Sequence, residues 1–144
     1  MRFWDTSAIV PLCLDQPTSA AAQALLETDP HIATWWASRV ECWSTFALLR
    51  REKILDLSGE EAARSVLKTL HESWTEIQPG EAVRMQAARL LRLHPLRAHD
   101  ALQLAAALSW AGNPPSGEIV GFDRRLQEAA RLEGLTPLPY HPRA

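Results

Sequence analysis

The chain opens with apolar residues, interrupted only by Arg2, and the run stops at Asp5. Such a run reads as a short buried strand over residues 1–4. Residues 8–14 predict a short helix, ended by Asp15-Gln16-Pro17. In 18–27, Ala21, Ala24 and Leu25 recur at helical spacing until Asp29-Pro30 stops the pattern. Residues 31–34 predict a second short strand. From 36 to 55 the period is helical again, with Val40, Trp43, Ala47 and Arg50 on one side and Ala37, Glu41, Ser44, Thr45 and Leu48 on another. Ser58-Gly59-Glu60-Glu61 has the form of a capping box, with Ser58 as N-cap of a helix running to about residue 73. A strand over 75–78 and a helix over 81–93 follow, the latter stopping at His94-Pro95.

Residues 97–111 are the most apolar helical stretch. Leu102, Leu104, Ala105, Ala106, Ala107 and Leu108 leave almost no polar face, which predicts a helix buried on most sides. After the loop Asn113-Pro114-Pro115-Ser116-Gly117 come a strand over 118–122, Asp123, and a helix to about residue 133 closed by Gly134. Residues 135–138 predict an edge strand, and 139 onward a polar tail. Strands alternate with helices and no hairpin signal occurs. The fold class is therefore α/β, a mostly parallel sheet covered by helices, in one domain spanning 1–144.

Composition changes this picture little. At 144 residues, 47% hydrophobic and 22% charged, the chain has ordinary globular proportions. No apolar run approaches the ~18 residues of a membrane span, and the N-terminus has no signal-peptide layout. A cytoplasmic location is expected. Cys13 and Cys42 match no metal or disulfide spacing and are expected to be reduced core residues. The formal net charge of −2 excludes a protein that coats nucleic acid, so any polyanion must be gripped locally. The cations are almost all arginine, with Lys53 and Lys68 the exceptions, and arginine suits phosphate.

The chemistry should sit beyond the carboxyl ends of the strands. Asp5 and Asp123 both follow predicted strands, although each is also a good helix N-cap. Asp100 lies one turn into an apolar helix, with Leu104 and Ala107 on its side. An unpaired carboxylate there is costly unless a cation, an Arg97 side chain or solvent meets it. Glu41 stands in a row of small residues that leaves room over its carboxylate. Neighbouring carboxylates repel by about 4 kcal/mol per pair at an effective dielectric near 20. Four of them make a set of oxygen donors that suits Mg²⁺ or Mn²⁺.

Asp5-Thr6-Ser7-Ala8-Ile9-Val10 after a short strand resembles the opening of PIN-domain nucleases, especially VapC-type toxins. The resemblance continues in Glu41 followed by Leu48-Leu49-Arg50-Arg51. It extends through Arg97-Ala98-His99-Asp100-Ala101-Leu102-Gln103-Leu104-Ala105-Ala106-Ala107 to Ile119-Val120-Gly121-Phe122-Asp123-Arg124-Arg125-Leu126. It covers nearly the whole chain in the family's order. It implies a three-layer α/β/α fold and a quartet of Asp5, Glu41, Asp100 and Asp123 binding Mg²⁺ or Mn²⁺. Asp5 and Asp100 match the most regular ligands, and Ser7 matches a supporting polar position. It further implies RNA as substrate, a cognate antitoxin as partner, and a homodimer. Two features depart from the family: Gly121 stands where a Thr or Ser is frequent, and the tandem Trp35-Trp36 belongs to no family motif.

The expected reaction is hydrolysis of an RNA phosphodiester by metal-activated water, with Arg39, Arg97, Arg124 and Arg125 as backbone contacts. His99 is expected to be a rim or structural residue. Two alternatives stand beside this reading. One is a PIN-like module that binds RNA or protein without cutting. The other is a phosphatase with Asp5 as nucleophile, which would want a second acid where Ser7 stands.

Overall fold

In a computed structural model, residues 1–141 are described; the last three positions of the expected polar tail lie outside them. The elements are β1 (Arg2–Trp4), α1 (Thr6–Cys13), α2 (Ser19–Thr28), β2 (Ile32–Trp35), α3 (Ser38–Arg51), α4 (Leu57–His71), β3 (Thr75–Ile77), α5 (Glu81–Leu93), α6 (Ala98–Ala111), β4 (Glu118–Val120), α7 (Arg124–Leu132) and β5 (Thr136–Leu138). The five strands form one sheet in the order β3-β2-β1-β4-β5, and every pairing is parallel. Phe3 stands opposite Ala33 and Ile119, so β1 is the central strand and β4 its neighbour.

Period-two alternation splits the core between the two faces of this sheet. Phe3, Ala33, Trp35 and Ile119 point into one apolar cluster with α5, α6 and α7. Trp4, Ile32 and Val120 point into the other, with residues from α1 to α4. Helices therefore cover both faces, giving the three-layer α/β/α arrangement. In α6, Ala101 and Leu104 to Leu108 are all buried, as its apolar composition predicts.

Several boundaries move for local reasons. The helix predicted over 36–55 is shorter, because Lys53 takes a left-handed φ of 60° just after α3. The capping expectation at Ser58 is corrected. Asp56 is the N-cap, its carboxylate accepting from the Gly59 backbone N–H at 2.7 Å, and Ser58 lies inside the first turn. Asp and Ser cap about equally well, so the choice follows from which oxygen reaches the amide, and the Asp56 charge also complements the positive helix end. The tandem tryptophans part company. Trp35 belongs to the core at 5% exposure, and Trp36 is 47% exposed. Cys42 is buried and Cys13 half-buried, and both are free thiols.

Candidate functional site

The cap of α1 fixes the first carboxylate. Asp5 follows the central strand, and its Oδ1 accepts from the Ser7 backbone N–H at 2.7 Å. The Ser7 hydroxyl also donates to Oδ1. The same hydroxyl accepts from the Phe122 backbone N–H at 2.7 Å, tying α1 to the segment after β4. The side chain is 2% exposed, and its Oδ2 has no hydrogen-bond partner. One oxygen thus caps the helix while the other is desolvated and unused. Burial pushes the Asp5 carboxyl up to about 7, with the nearby Asp123 charge adding to the rise and the Ser7 hydrogen bonds opposing it.

Gly121 explains how this buried carboxylate fits. A Cβ at this position would lie 2.5 Å from Asp5 Oδ2 and 3.0 Å from its Cγ. The room a side chain would fill is taken by the Asp5 carboxyl.

Asp100 sits in the first turn of α6, half-buried and 3.3 Å from the exposed His99 imidazole. Burial raises its carboxyl above the usual range; the His99 ring lowers it and Asp123 raises it further. His99 therefore occupies the rim, as its adjacency to Asp100 implied, and touches the acid as well. Asp123 caps α7, accepting from the Leu126 backbone N–H at 3.1 Å. Glu41, in the first turn of α3, meets neither Arg39 nor Arg50. Its Oε2 accepts from the Thr6 hydroxyl at 2.8 Å and from the Gln103 amide at 2.6 Å. Burial raises its carboxyl as well, against the lowering effect of these two donors.

All four acids line one cavity of about 690 Å³, together with Thr6, Ser7, His99 and Gln103. Asp100, Asp123, Arg97, Arg124 and Arg125 border a smaller cavity of about 350 Å³ that shares Asp100 and Asp123 with it. Arg39 lies elsewhere, its guanidinium 5.2 Å over the Trp43 ring. The residue that sequence reasoning missed is Gln103. Its amide nitrogen reaches Thr6, Ser38 and Glu41 within 3.0 Å, which links α6 to α1 and α3 under the acids. The only trace in the sequence is an amide set among Leu and Ala residues, which does not name its partners.

Among the described residues no group of three or more His, Cys, Asp or Glu side chains is arranged to hold a metal ion together. The donor set nevertheless fits a hard divalent cation. Mg²⁺ keeps several waters and takes only one or two carboxylates directly, so an open acidic cavity suits it better than a cage. The unpartnered Asp5 Oδ2 and the raised carboxyls of Asp5, Glu41 and Asp100 describe a place where positive charge is wanted.

The comparisons agree with this architecture. Residues 2–132 match the PIN domain family. Over 141 residues the chain is 30% identical to Ribonuclease VapC45 of Mycobacterium tuberculosis, covering 95% of this chain and 94% of that protein. Among solved structures, VapC20 of Mycobacterium tuberculosis, a sarcin-ricin loop cleaving toxin, superposes with a TM-score of 0.68 at 20% identity. That match covers 90% of this chain and 95% of the other. A toxin–antitoxin complex from Klebsiella pneumoniae gives 0.63 at 15% identity, covering 99% of this chain and 100% of that one. The likeness to these structures is one of fold; the family match over residues 2–132 is one of sequence, and on it this chain belongs to the PIN domain family.

Proposed function

We propose that this chain is a Mg²⁺- or Mn²⁺-dependent endoribonuclease, the cytoplasmic toxin of a toxin–antitoxin pair. The observation that carries the proposal is the meeting of four acids from distant parts of the chain on one cavity, with a desolvated, unpartnered Asp5 oxygen among them. Asp5 and Asp100 would hold the cation directly, and Glu41 and Asp123 would complete its surroundings, directly or through water. A bound divalent cation supplies stabilisation of charge on the phosphoryl oxygens and makes water a usable nucleophile near neutral pH.

The chain's own groups do the rest. Ser7 locks the Asp5 carboxylate by donating to its Oδ1. Thr6 and Gln103 hold one oxygen of Glu41 and leave the other to orient the attacking water. That water attacks the scissile phosphorus as the opposite P–O bond breaks, and the departing ribose oxygen takes up a proton. Arg97, Arg124 and Arg125, beside Asp100 and Asp123, contact the flanking phosphates. No 2′-hydroxyl is consumed, so preference for RNA comes from strand shape and base contacts. The name of the relative VapC45 and the toxin–antitoxin complex among the neighbours support a ribonuclease held in check by a cognate antitoxin, in a single domain that pairs with a second copy.

The test is cleavage of a mixed RNA pool with Mg²⁺ or Mn²⁺, with and without EDTA. The intact chain should cut only with the cation, and Asp5→Asn and Asp100→Asn should each lose activity while melting cooperatively. EDTA-resistant cleavage, or full activity in either variant, contradicts the proposal.

A further inference from the structure

A second cavity, of about 480 Å³, lies between α3 and α4 and is lined by Arg39, Trp43, Arg64, Lys68 and Glu61 among others. Two guanidinium groups lie over one indole ring: Arg39, one turn before Trp43 on α3, at 5.2 Å, and Arg64 of α4 at 5.1 Å. Among the described residues none of Arg39, Arg64 and Lys68 makes an ion pair. The single carboxylate in the lining, Glu61, leaves the groove with an excess of two positive charges. On a chain of net charge −2, that excess is a local concentration of cations.

The groove also has a definite relation to the acidic cavity. Val40, Glu41, Ser44 and Thr45 line the acidic cavity, and Arg39 and Trp43, on the adjacent row of the same helix, line this one. The two cavities therefore flank α3, about one helix width apart, ~10 Å. The ridge between them carries the exposed Val40.

We infer that this groove is a second binding site for a single-stranded nucleic acid, holding the phosphates of the substrate strand outside the acidic cavity. The inference deepens the ribonuclease reading and rests on it for the identity of the strand. A guanidinium stacked on an indole keeps its edge N–H groups free, so Arg39 and Arg64 can each donate to phosphate oxygens while staying in place. Lys68 adds a third charge beside them. A strand that enters the acidic cavity and crosses the Val40 ridge meets these groups next. Arg39 thereby retains the role in substrate contact that the sequence suggested, at a place remote from the acids.

The test is fluorescence anisotropy of an end-labelled single-stranded oligoribonucleotide of about a dozen nucleotides, measured in EDTA so that nothing is cut. The double variant Arg39→Gln/Arg64→Gln keeps most of both side-chain stems over Trp43. It should weaken binding about tenfold and lower the slope of log K against log salt by about 1.4, the value for two lost phosphate contacts on a single strand. A control, Arg84→Gln/Arg92→Gln on α5, removes the same net charge elsewhere and should leave the slope unchanged. An unchanged affinity and slope in the Arg39/Arg64 variant overturns the inference. So does a larger loss of binding to an acidic peptide than to the oligonucleotide, which would give the groove to a protein partner. Binding lost as expected by a chain that proves unable to cut RNA would sink the nuclease proposal and leave the groove assignment standing.

Discussion

Asp5 couples the fold to the site through its two oxygens. Oδ1 is spent on the α1 cap and the Ser7 hydroxyl, and Oδ2 is buried without a partner. Its carboxyl holds a proton up to about pH 7 in the folded chain and only below about 3.8 when unfolded. The folded state therefore binds more protons between those values. Stability from this group is full below about 3.8 and falls as the pH rises towards 7. Without cations, the intact chain should lose stability relative to Asp5→Asn between pH 4 and 7, by up to about 4 kcal/mol, as read by denaturant melts of both. Parallel pH profiles would rule this out. Gly121 gives a second test. An added Cβ would press on Asp5 Oδ2 and Cγ, so Gly121→Ala should displace the carboxylate. A shift of about 1 Å at a reacting centre costs on the order of 100-fold in rate. The variant should melt cooperatively and cut RNA far more slowly; unchanged cleavage would show that Asp5 has slack.

At the scale of elements, the sequence was most readable where periodicity or a strand end marks a residue. Every predicted strand and helix exists, and most bury the face that their apolar spacing shows; in α2 the buried residue is Ala22, while Ala21 and Ala24 are exposed. Asp5 and Asp123 were legible as the acids that end strands β1 and β4, and Asp100 as a charge in an apolar helix. Gln103 was not, since an amide among Leu and Ala carries no mark of its partners on α1 and α3, which depend on how three helices meet. The place of Arg39 was not legible for the same reason. Glu41 and Trp43 are two residues apart, about 200° of helix phase, and packing decides which cavity each side lines. The start of α4 was misplaced because Ser58 and Asp56 both offer capping oxygens and only geometry selects one. Asp56→Ala should therefore destabilise the chain by about 1 kcal/mol, about 2–4 °C in melting temperature for a chain of this size, whereas Ser58→Ala should leave it within a few tenths. The reverse order in a thermal melt would restore the capping box.

Across the whole molecule, the order β3-β2-β1-β4-β5 sets the location of the chemistry. The chain runs outward from β1 through β2 to β3, then crosses back to β4 on the other side of β1 and on to β5, so the strand order reverses between β1 and β4. The crevice beyond β1 and β4 is thus where an open parallel sheet receives ligands. Asp5 and Asp123 arrive there from those two strands, and α3 and α6 lay Glu41 and Asp100 over the same opening. No helix among the described residues is long and apolar enough to cross a membrane. The overall charge of −2 gives no attraction to a polyanion, so on the proposed function RNA would be held by a cation in the acidic cavity and by the basic groove behind α3. The most direct test of the central claim is a Mn²⁺ titration followed by electron paramagnetic resonance, which reads the free ion without any need for a substrate. The intact chain should take up Mn²⁺, and Asp5→Asn and Asp100→Asn should each weaken that uptake at least tenfold. Equal Mn²⁺ binding by all three proteins would mean that these carboxylates do not share an ion.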